Sequence, residues 1–100
     1  MAQSIGIVGC GAIGQALMRA ADSGKLNVAV AGVTSRDEHR AHEFLGSLDT
    51  PPPYMDRQQL IANSDLLVET AGGHIVAELA EETFAAGKDL MVISIGALLD

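Results

Sequence analysis

The chain has 100 residues, 48% of them apolar and 19% charged, which supports one folded domain and excludes intrinsic disorder. Thirteen acidic against six basic side chains give a formal charge of −7, which argues against a nucleic-acid or anionic-membrane surface because both need clustered positive charge. One cysteine excludes an internal disulfide, and without a signal peptide or an apolar run of roughly 18 residues we expect a soluble cytoplasmic protein with no nucleic-acid or membrane partner.

Short apolar runs alternate with amphipathic runs along the chain. The apolar runs are rich in β-branched residues, which is typical of buried strands, whereas the amphipathic runs repeat every third or fourth residue, which is typical of helices. Glycine followed by lysine ends the first and last helices, and the prolines at 51–53 require a loop. The predicted elements are strand 4–8, helix 12–23, strand 28–33, helix 36–45, a very short strand 54–55, helix 57–62, strand 65–71, helix 74–86 and strand 90–95.

Local signals add detail to these helices. Ser35 with Glu38, and Asp56 with Gln59, match capping boxes, in which each side chain bonds a free amide at the helix start. The first and last helices also carry apolar stripes that we expect to face the core. The stripes consist of Ile13, Leu17 and Ala21 in helix 12–23 and of Val76, Leu79, Ala80 and Phe84 in helix 74–86.

The alternation of strands and helices with short connections implies parallel strands and right-handed crossovers. We therefore expect an α/β fold with a Rossmann-type doubly wound parallel sheet, in which residues 1–100 form one dinucleotide-binding domain. The strand 28–33 is almost entirely apolar and should be covered on both faces. The apolar residues 97–99 suggest that the domain is incomplete at its C-terminus.

A G-x-G-x-x-G motif joins the first strand to the first helix. Gly9 would permit the tight turn, Gly11 would let the backbone approach a pyrophosphate, and Gly14 would let the helix pack closely on the strand. Ala12 and Ile13 lie between these glycines, in the first helical turn, whose free amides favour phosphate. The motif predicts binding of NAD or NADP, the alternative being a glycine turn that only packs helix on strand.

The end of the second strand is where the adenosine ribose is usually bound, often by a carboxylate. This sequence has Thr34, Ser35 and Arg36 there. Arg36 is suited to pair with a 2′-phosphate, to which Thr34 and Ser35 can donate hydrogen bonds, so we favour NADP with NAD also usable. Asp37 is a weaker candidate for a ribose contact. Alternatively, Ser35 only caps the helix and Arg36 is a solvated residue of its first turn.

The two later strands end in small residues. Ligands of parallel sheets bind at the carboxyl ends of strands near the point where strand order reverses, so these ends should flank the nicotinamide half of the cofactor. Gly72 and Gly73 would permit close approach. The residues concerned are Thr70, Ala71, Gly72, Gly73 and His74 after one strand, and Ser94, Ile95, Gly96 and Ala97 after the other.

Other chemically suggestive side chains have simpler interpretations. His74 is tempting as an acid or base but is more typical of a local cap or surface residue. Glu69, inside an apolar strand, either is paired and structural, which we favour, or faces the site. Cys10 lies where a helix N-terminus would stabilise a thiolate, but we favour an apolar filler. His39, His42 and Glu43 share a helix face, where a solvated polar surface is more common than a metal site, so we predict no metal.

The stretches 65–71 and 86–98, together with the glycine loop, closely resemble L-aspartate dehydrogenases. These enzymes carry a strand of the form D-hydrophobic-V-E-A-A and a later strand G-K-D-V-M-V-M-S-V-G-A-L. The resemblance covers essentially all 100 residues. Thr70 and Gly72 depart slightly from it, since Ala and Ser are common there. Homoserine dehydrogenases and dihydrodipicolinate reductases share the general plan and remain alternatives, as does a non-catalytic dinucleotide-binding module.

The resemblance implies an NAD(P)-dependent oxidoreductase that deaminates L-aspartate to iminoaspartate or oxaloacetate, with a role in amino-acid metabolism or NAD biosynthesis. Ala71, Ser94, Gly96 and Ala97 would then lie near the nicotinamide. The family carries its catalytic histidine and substrate-carboxylate ligands in a second domain, so we expect catalytic residues beyond residue 100. The resemblance allows a homo-oligomer of the full-length protein but leaves the oligomeric state open.

Overall fold

A computed structural model describes residues 3–94 and has four parallel strands with helices on both sides. The order of strands and helices agrees with the prediction from sequence. No helix among residues 3–94 is long and apolar enough to cross a membrane. The elements are β1 Ser4–Val8, α1 Ala12–Asp22, β2 Ala29–Thr34, α2 Glu38–Leu45, α3 Arg57–Asn63, β3 Leu66–Glu69, a single-turn 3-10 helix Gly73–Ile75, α4 Val76–Ala85 and β4 Asp89–Val92.

The strands are arranged in the order β2-β1-β3-β4. The chain therefore leaves β1 to build one side of the sheet with β2 and then returns to build the other side with β3 and β4. Tyr54 extends the β2 side by a single parallel bridge to Val33, where the sequence predicted a very short strand. The reversal at β1 opens a crevice at the carboxyl ends of β1, β2 and β3, where ligands of such sheets bind.

Two separate apolar clusters cover the two faces of the sheet. Ile5 and Ile7 of β1 pack with α1 and α2 on one face. Val8, one position out of phase, packs with α3 and α4 on the other face. This alternation follows from the two-residue repeat of a strand. Helices on both faces of a parallel sheet confirm the doubly wound fold expected from the sequence.

The predicted stripe of α1 is correct at Leu17, which packs against the apolar core, but wrong at Ile13. Ile13 is 50% exposed, whereas Gly14 and Met18 are buried. Gly14 sits against the backbone of Gly9 at the end of β1. That close contact rotates α1 so that the face containing Gly14 and Met18, four residues apart, meets the sheet.

The prediction for α4 was correct at Leu79 but wrong at Phe84. Leu79 is fully buried and Phe84 is 61% exposed. Thr83, which lies one helical turn after Leu79, takes the buried position instead. Because each residue advances the helix by about 100°, Phe84 points to one side of the buried face.

The two predicted capping boxes had different outcomes. Asp56 and Gln59 form the reciprocal capping box of α3. Ser35 does not cap α2, because the cap is Asp37, whose carboxylate accepts a hydrogen bond from the Arg40 amide at 3.0 Å. The Ser35 hydroxyl donates to the Asp37 carbonyl instead. The start of α2 is therefore two residues later than predicted.

The second strand is less covered than its apolar sequence predicted. Ala29 at its start is exposed, and Val30 and Ala31 are half-buried. Burial is complete only over Gly32–Thr34. The buried half is the half that borders the crevice, so the site-facing end of β2 is its firmly packed end.

Candidate functional site

A cavity of about 590 Å³ opens at the carboxyl ends of β1, β2 and β3. Its wall combines the glycine loop, the turn after β2, and the segment after β3. The three segments come from distant parts of the sequence and meet because the strands are parallel. The lining residues are Val8, Gly9, Cys10, Gly11, Thr34, Ser35, Arg36, Asp37, Arg40, Arg57, Thr70, Ala71, His74 and Ile75.

The glycine loop has the geometry of a tight turn from strand to helix. Gly9 has a φ of 113°, a conformation that residues with a Cβ rarely adopt. Its amide donates to the Thr34 carbonyl at 2.7 Å, and its carbonyl accepts from the Thr70 hydroxyl at 3.3 Å. These bonds tie the loop to the ends of both neighbouring strands.

Gly11 and Gly14 have different surroundings in this loop. A Cβ on Gly14 would overlap the Gly9 carbonyl oxygen, so Gly14 permits the close packing that the motif predicted. A Cβ on Gly11 would meet no protein atom within 4 Å. Gly11 is exposed on the cavity wall, and the open space beside it leaves room for a ligand close to the backbone.

The first turn of α1 presents free backbone amides at the same place. Gly11 is its N-cap and supplies no side-chain hydrogen bond, and the first turn contains no acidic residue. Ala12 and Ile13 are exposed in this turn. An uncapped helix start of this kind attracts anions through its amides and its positive dipole.

Cys10 lies between the first two glycines, in surroundings that disfavour the thiolate. It is buried within the apolar cluster beneath α1 and α2. Burial raises the pKa of the Cys10 thiol, and the nearby Arg40 guanidinium offsets only part of this rise. The neutral thiol fits the interpretation as an apolar filler.

The turn after β2 is held by a residue that the sequence did not assign to the site. The Tyr54 hydroxyl accepts a hydrogen bond from the Ser35 amide at 3.3 Å and donates to the Ser35 carbonyl at 2.7 Å. Thr34 is buried and Ser35 is half-buried. Arg36 follows directly, exposed and on the cavity wall.

Three arginines line this cavity in a chain whose formal charge is −7. Arg57 is engaged by Glu78 and Glu82 of α4. Within residues 3–94, Arg36 and Arg40 form no ion pair with a carboxylate. Asp37 also lines the cavity, but its carboxylate is committed to the start of α2. The sequence singled out Arg36 but missed Arg40, which lies in α2 and lines the same wall.

The segment after β3 contributes Thr70 and Ala71 to the cavity wall. Gly72 lies next to them with a φ of 136°, and its amide donates to the Glu69 carboxylate at 2.7 Å. Ser94, after β4, donates to the same carboxylate through its amide and its hydroxyl. The Glu69 carboxylate thus links Gly72 to Ser94. Glu69 directly precedes Thr70, which lines the cavity.

Other residues that the sequence singled out have less to contribute. His74 is exposed on the cavity wall, in the 3-10 helix. His39 and His42 face Glu43 and Glu38 one helical turn away on the surface of α2. Among the described residues, no group of three His, Cys, Asp or Glu side chains is placed to hold a metal ion. The predicted site residues Gly96 and Ala97 lie outside the described residues.

Comparison with known sequences finds relatives named L-aspartate dehydrogenase. The chain is 39% identical over 97 residues to one from Methanosarcina acetivorans and 35% identical over 96 residues to one from Methanocella arvoryzae. Each alignment covers 96% of this chain and 36% of the relative. The chain therefore spans about a third of the length of these curated relatives.

Comparison with solved structures confirms the fold. A myo-inositol dehydrogenase from Lactobacillus casei, solved with NAD(H) and myo-inositol, has a TM-score of 0.79 at 18% identity and covers 92% of this chain and 28% of its own. A homoserine dehydrogenase from Thiobacillus denitrificans has a TM-score of 0.68 at 22% identity, covering 92% and 23% respectively.

A family model described as the NAD-binding domain of homoserine dehydrogenase matches residues 9–100. This match includes the whole glycine loop and the segments after β2 and β3 that line the cavity. The L-aspartate dehydrogenases found above are relatives over the same stretch. The chain belongs to this family of NAD-binding domains.

Proposed function

We propose that this chain is the cofactor-binding part of an NAD(P)-dependent dehydrogenase that oxidatively deaminates L-aspartate. The identity of 39% to an L-aspartate dehydrogenase across 96% of the chain supports this substrate. The observation that carries the cofactor assignment is the cavity itself, where open space beside Gly11 meets the uncapped start of α1. The catalytic groups are proposed to lie beyond residue 100, and the enzyme to act in the cytoplasm.

The residues around the cavity suit the three parts of a dinucleotide. Gly11 and the first-turn amides of α1 would hold the pyrophosphate. Thr34, Ser35 and Arg36 would hold the adenosine ribose and its phosphate. Ala71 and Ser94, with Gly96 and Ala97, would lie near the nicotinamide, as the resemblance to aspartate dehydrogenases implies. The bound cofactor supplies the hydride acceptor, and this chain binds and orients it.

We propose NADP as the preferred cofactor because of the charge at the end of β2. Arg36 and Arg40 both line the cavity there, and neither is paired with a described carboxylate. A guanidinium binds a phosphate dianion by charge-assisted hydrogen bonds. Asp37 also lines the cavity, and its carboxylate, although it caps α2, would oppose a phosphate, which leaves NAD as the competing ligand. The preference therefore depends on two arginines outweighing one aspartate.

Calorimetric titration of the chain with NADP and NAD tests this assignment. We expect saturable binding of both and tighter binding of NADP. Arg36→Ala should weaken NADP binding by about tenfold, the value of one charge-assisted contact, and leave NAD nearly unchanged. Lys25→Ala removes the same charge from an exposed position outside the cavity and serves as the matched control.

Two results would contradict the cofactor proposal. Absence of saturable binding of either dinucleotide would reject the cavity as a dinucleotide site. A tenfold or greater preference for NAD, about 1.4 kcal/mol, would reject the role of Arg36 as a phosphate ligand.

Absorbance at the nicotinamide band, after the protein is mixed with L-aspartate and NADP, tests whether the catalytic groups lie in this chain or in the proposed second domain. We expect reduction by an enzyme that also carries the proposed second domain and none by these 100 residues. Turnover by the 100-residue chain would show that its own side chains perform the chemistry. A longer protein that binds NADP but oxidises homoserine instead of aspartate would reject the proposed substrate while keeping the cofactor site.

A further inference from the structure

Glu69 is the fully buried carboxylate at the carboxyl end of β3, with 0% of its surface exposed. Within residues 3–94, no lysine, arginine or histidine pairs with it. A buried carboxylate without a cation is costly unless hydrogen-bond donors satisfy its oxygens. The groups that donate hydrogen bonds to Glu69 therefore indicate its structural role.

Among residues 3–94, the donors to the Glu69 carboxylate come from the two loops that follow β3 and β4. One carboxylate oxygen accepts from the Gly72 amide at 2.7 Å. The other accepts from the Ser94 amide at 3.3 Å and from the Ser94 hydroxyl. Gly72 and Ser94 are 22 positions apart in the sequence, and the Glu69 side chain links them directly.

The link acts beside the cavity wall. Thr70 and Ala71 line the cavity and lie between Glu69 and Gly72, so the bond from Gly72 closes this segment into a short loop. Gly72 has a φ of 136° within that loop, a conformation that residues with a Cβ rarely adopt. On the other side, the Ile93 amide donates to the Glu69 carbonyl at 3.0 Å, so the backbone of β3 guides the chain to Ser94.

We propose that Glu69 is a positioning residue for the nicotinamide half of the cofactor, setting the loop after β3 against the loop after β4. This inference rests on the proposed function, which assigns those loops to the nicotinamide. A carboxylate suits this position because each of its described partners is a donor. In glutamine, one of the two acceptor oxygens becomes an NH₂ donor that would face an N–H or O–H group.

The test compares NADP with 2′,5′-ADP, which has the adenosine half and its phosphate but no nicotinamide. Calorimetry would measure both affinities in the native chain, in Glu69→Gln and in Glu81→Gln, which removes the same charge from an exposed position on α4. We expect Glu69→Gln to weaken the binding of NADP by about tenfold and the binding of 2′,5′-ADP by less than about twofold. Glu81→Gln should change neither affinity.

Ser94→Ala provides a second, milder variant that removes one donor and leaves Glu69 charged. We expect about threefold weaker NADP binding and unchanged 2′,5′-ADP binding. A variant that combines Glu69→Gln with Ser94→Ala should bind NADP no more weakly than Glu69→Gln alone, because Ser94 acts here through its bond to Glu69. Additive losses would contradict the link between the two residues.

The outcomes separate this inference from the proposed function. If Glu69→Gln weakens the binding of NADP and of 2′,5′-ADP equally, or does not weaken NADP binding, the positioning role is overturned and the proposed cofactor site is unaffected. If Glu69→Gln does not fold, unchanged NADP affinity in Ser94→Ala would overturn it. A native chain that binds neither ligand would reject the proposed function itself.

Discussion

The Tyr54 hydroxyl holds both backbone groups of Ser35, as donor to its carbonyl and acceptor from its amide. The neighbouring Arg36 is the residue proposed to bind the 2′-phosphate. The His42 ring packs against Tyr54 with the ring centroids 5.2 Å apart, which restricts the tyrosine further. A single phenol thus fixes the turn between β2 and α2 from a position 19 residues away.

Removing this hydroxyl should loosen the turn without opening a large cavity. We expect Tyr54→Phe to lower the free energy of unfolding by about 1 kcal/mol, the typical value of a hydrogen bond. NADP binding should weaken by about threefold, and NAD binding should weaken less, because only NADP carries the phosphate. Denaturant unfolding and calorimetric titration measure the two effects. An unchanged ratio of NADP to NAD affinity would contradict a role for Tyr54 in placing Arg36.

The sequence predicted the site residues that lie within or directly after the strand-end turns, including Arg36, but not those contributed by more distant segments. The roles of Gly9 and Gly14 follow from the motif because they concern the turn in which those residues lie. Arg40 and Tyr54 carry no local signal of a role in the site. Their side chains reach the cavity or its wall only after α2 and the bridge to β2 are in place.

At the scale of elements, Asp22 joins the end of α1 to the loop that precedes the prolines. Its carboxylate accepts from the Asp49 amide at 3.0 Å and from the amide and hydroxyl of Thr50, each at 2.8 Å. These hydrogen bonds favour the ionised form and lower the Asp22 pKa below its ordinary value of 3.8, with the Thr50 amide the largest cause. The side chain therefore anchors a loop that has no regular structure of its own.

A lowered pKa in the folded state means that ionised Asp22 contributes stability above pH 3.8 and that this contribution is lost as pH falls through the folded pKa. We expect Asp22→Ala to melt at a lower temperature than the native chain at neutral pH. The difference should shrink as pH falls below 3.8. Thermal melts across this range measure it, with Glu81→Ala as an exposed control. A difference that stays constant down to the acid limit would show that the charge of Asp22 is not involved.

The order of elements was predictable from periodicity, whereas their orientation was not. The strand-helix alternation and the capping box of α3 depend on residues a few positions apart. The rotation of α1 depends on the contact between Gly14 and Gly9, and the exposure of Phe84 depends on which side of α4 meets β4. An amphipathic pattern defines a broad apolar face but leaves its rotation on the sheet undetermined by tens of degrees.

At the scale of the whole molecule, charge is distributed unevenly. The chain has a formal charge of −7 and only six lysines and arginines, yet three arginines line one cavity. The net negative charge of the molecule repels an anionic ligand. The arginines attract it at the place where the phosphates are proposed to bind. Added salt weakens the attraction between two charges less when they are close together than when they are far apart.

NADP and NAD should differ in their response to salt. Raising the ionic strength from about 0.05 M to about 0.5 M shortens the screening length several-fold and should weaken NADP binding more than NAD binding, because the additional phosphate faces Arg36 and Arg40. Titrations at several salt concentrations give the two slopes. The slope for NADP in Arg36→Ala should approach that for NAD. Identical slopes for both ligands in the native chain would contradict a phosphate contact at this end of the cavity.

Local sequence was sufficient for the element order, the glycine turn and the doubly wound parallel class, because these depend on short-range periodicity and backbone geometry. The three-dimensional packing decided which faces are buried and which side chains meet. Thr70 bonds the Val8 carbonyl across 62 positions, and Glu69 links the ends of β3 and β4. Such contacts depend on strand order and register, since a pairing between distant segments leaves no repeating pattern in either segment alone.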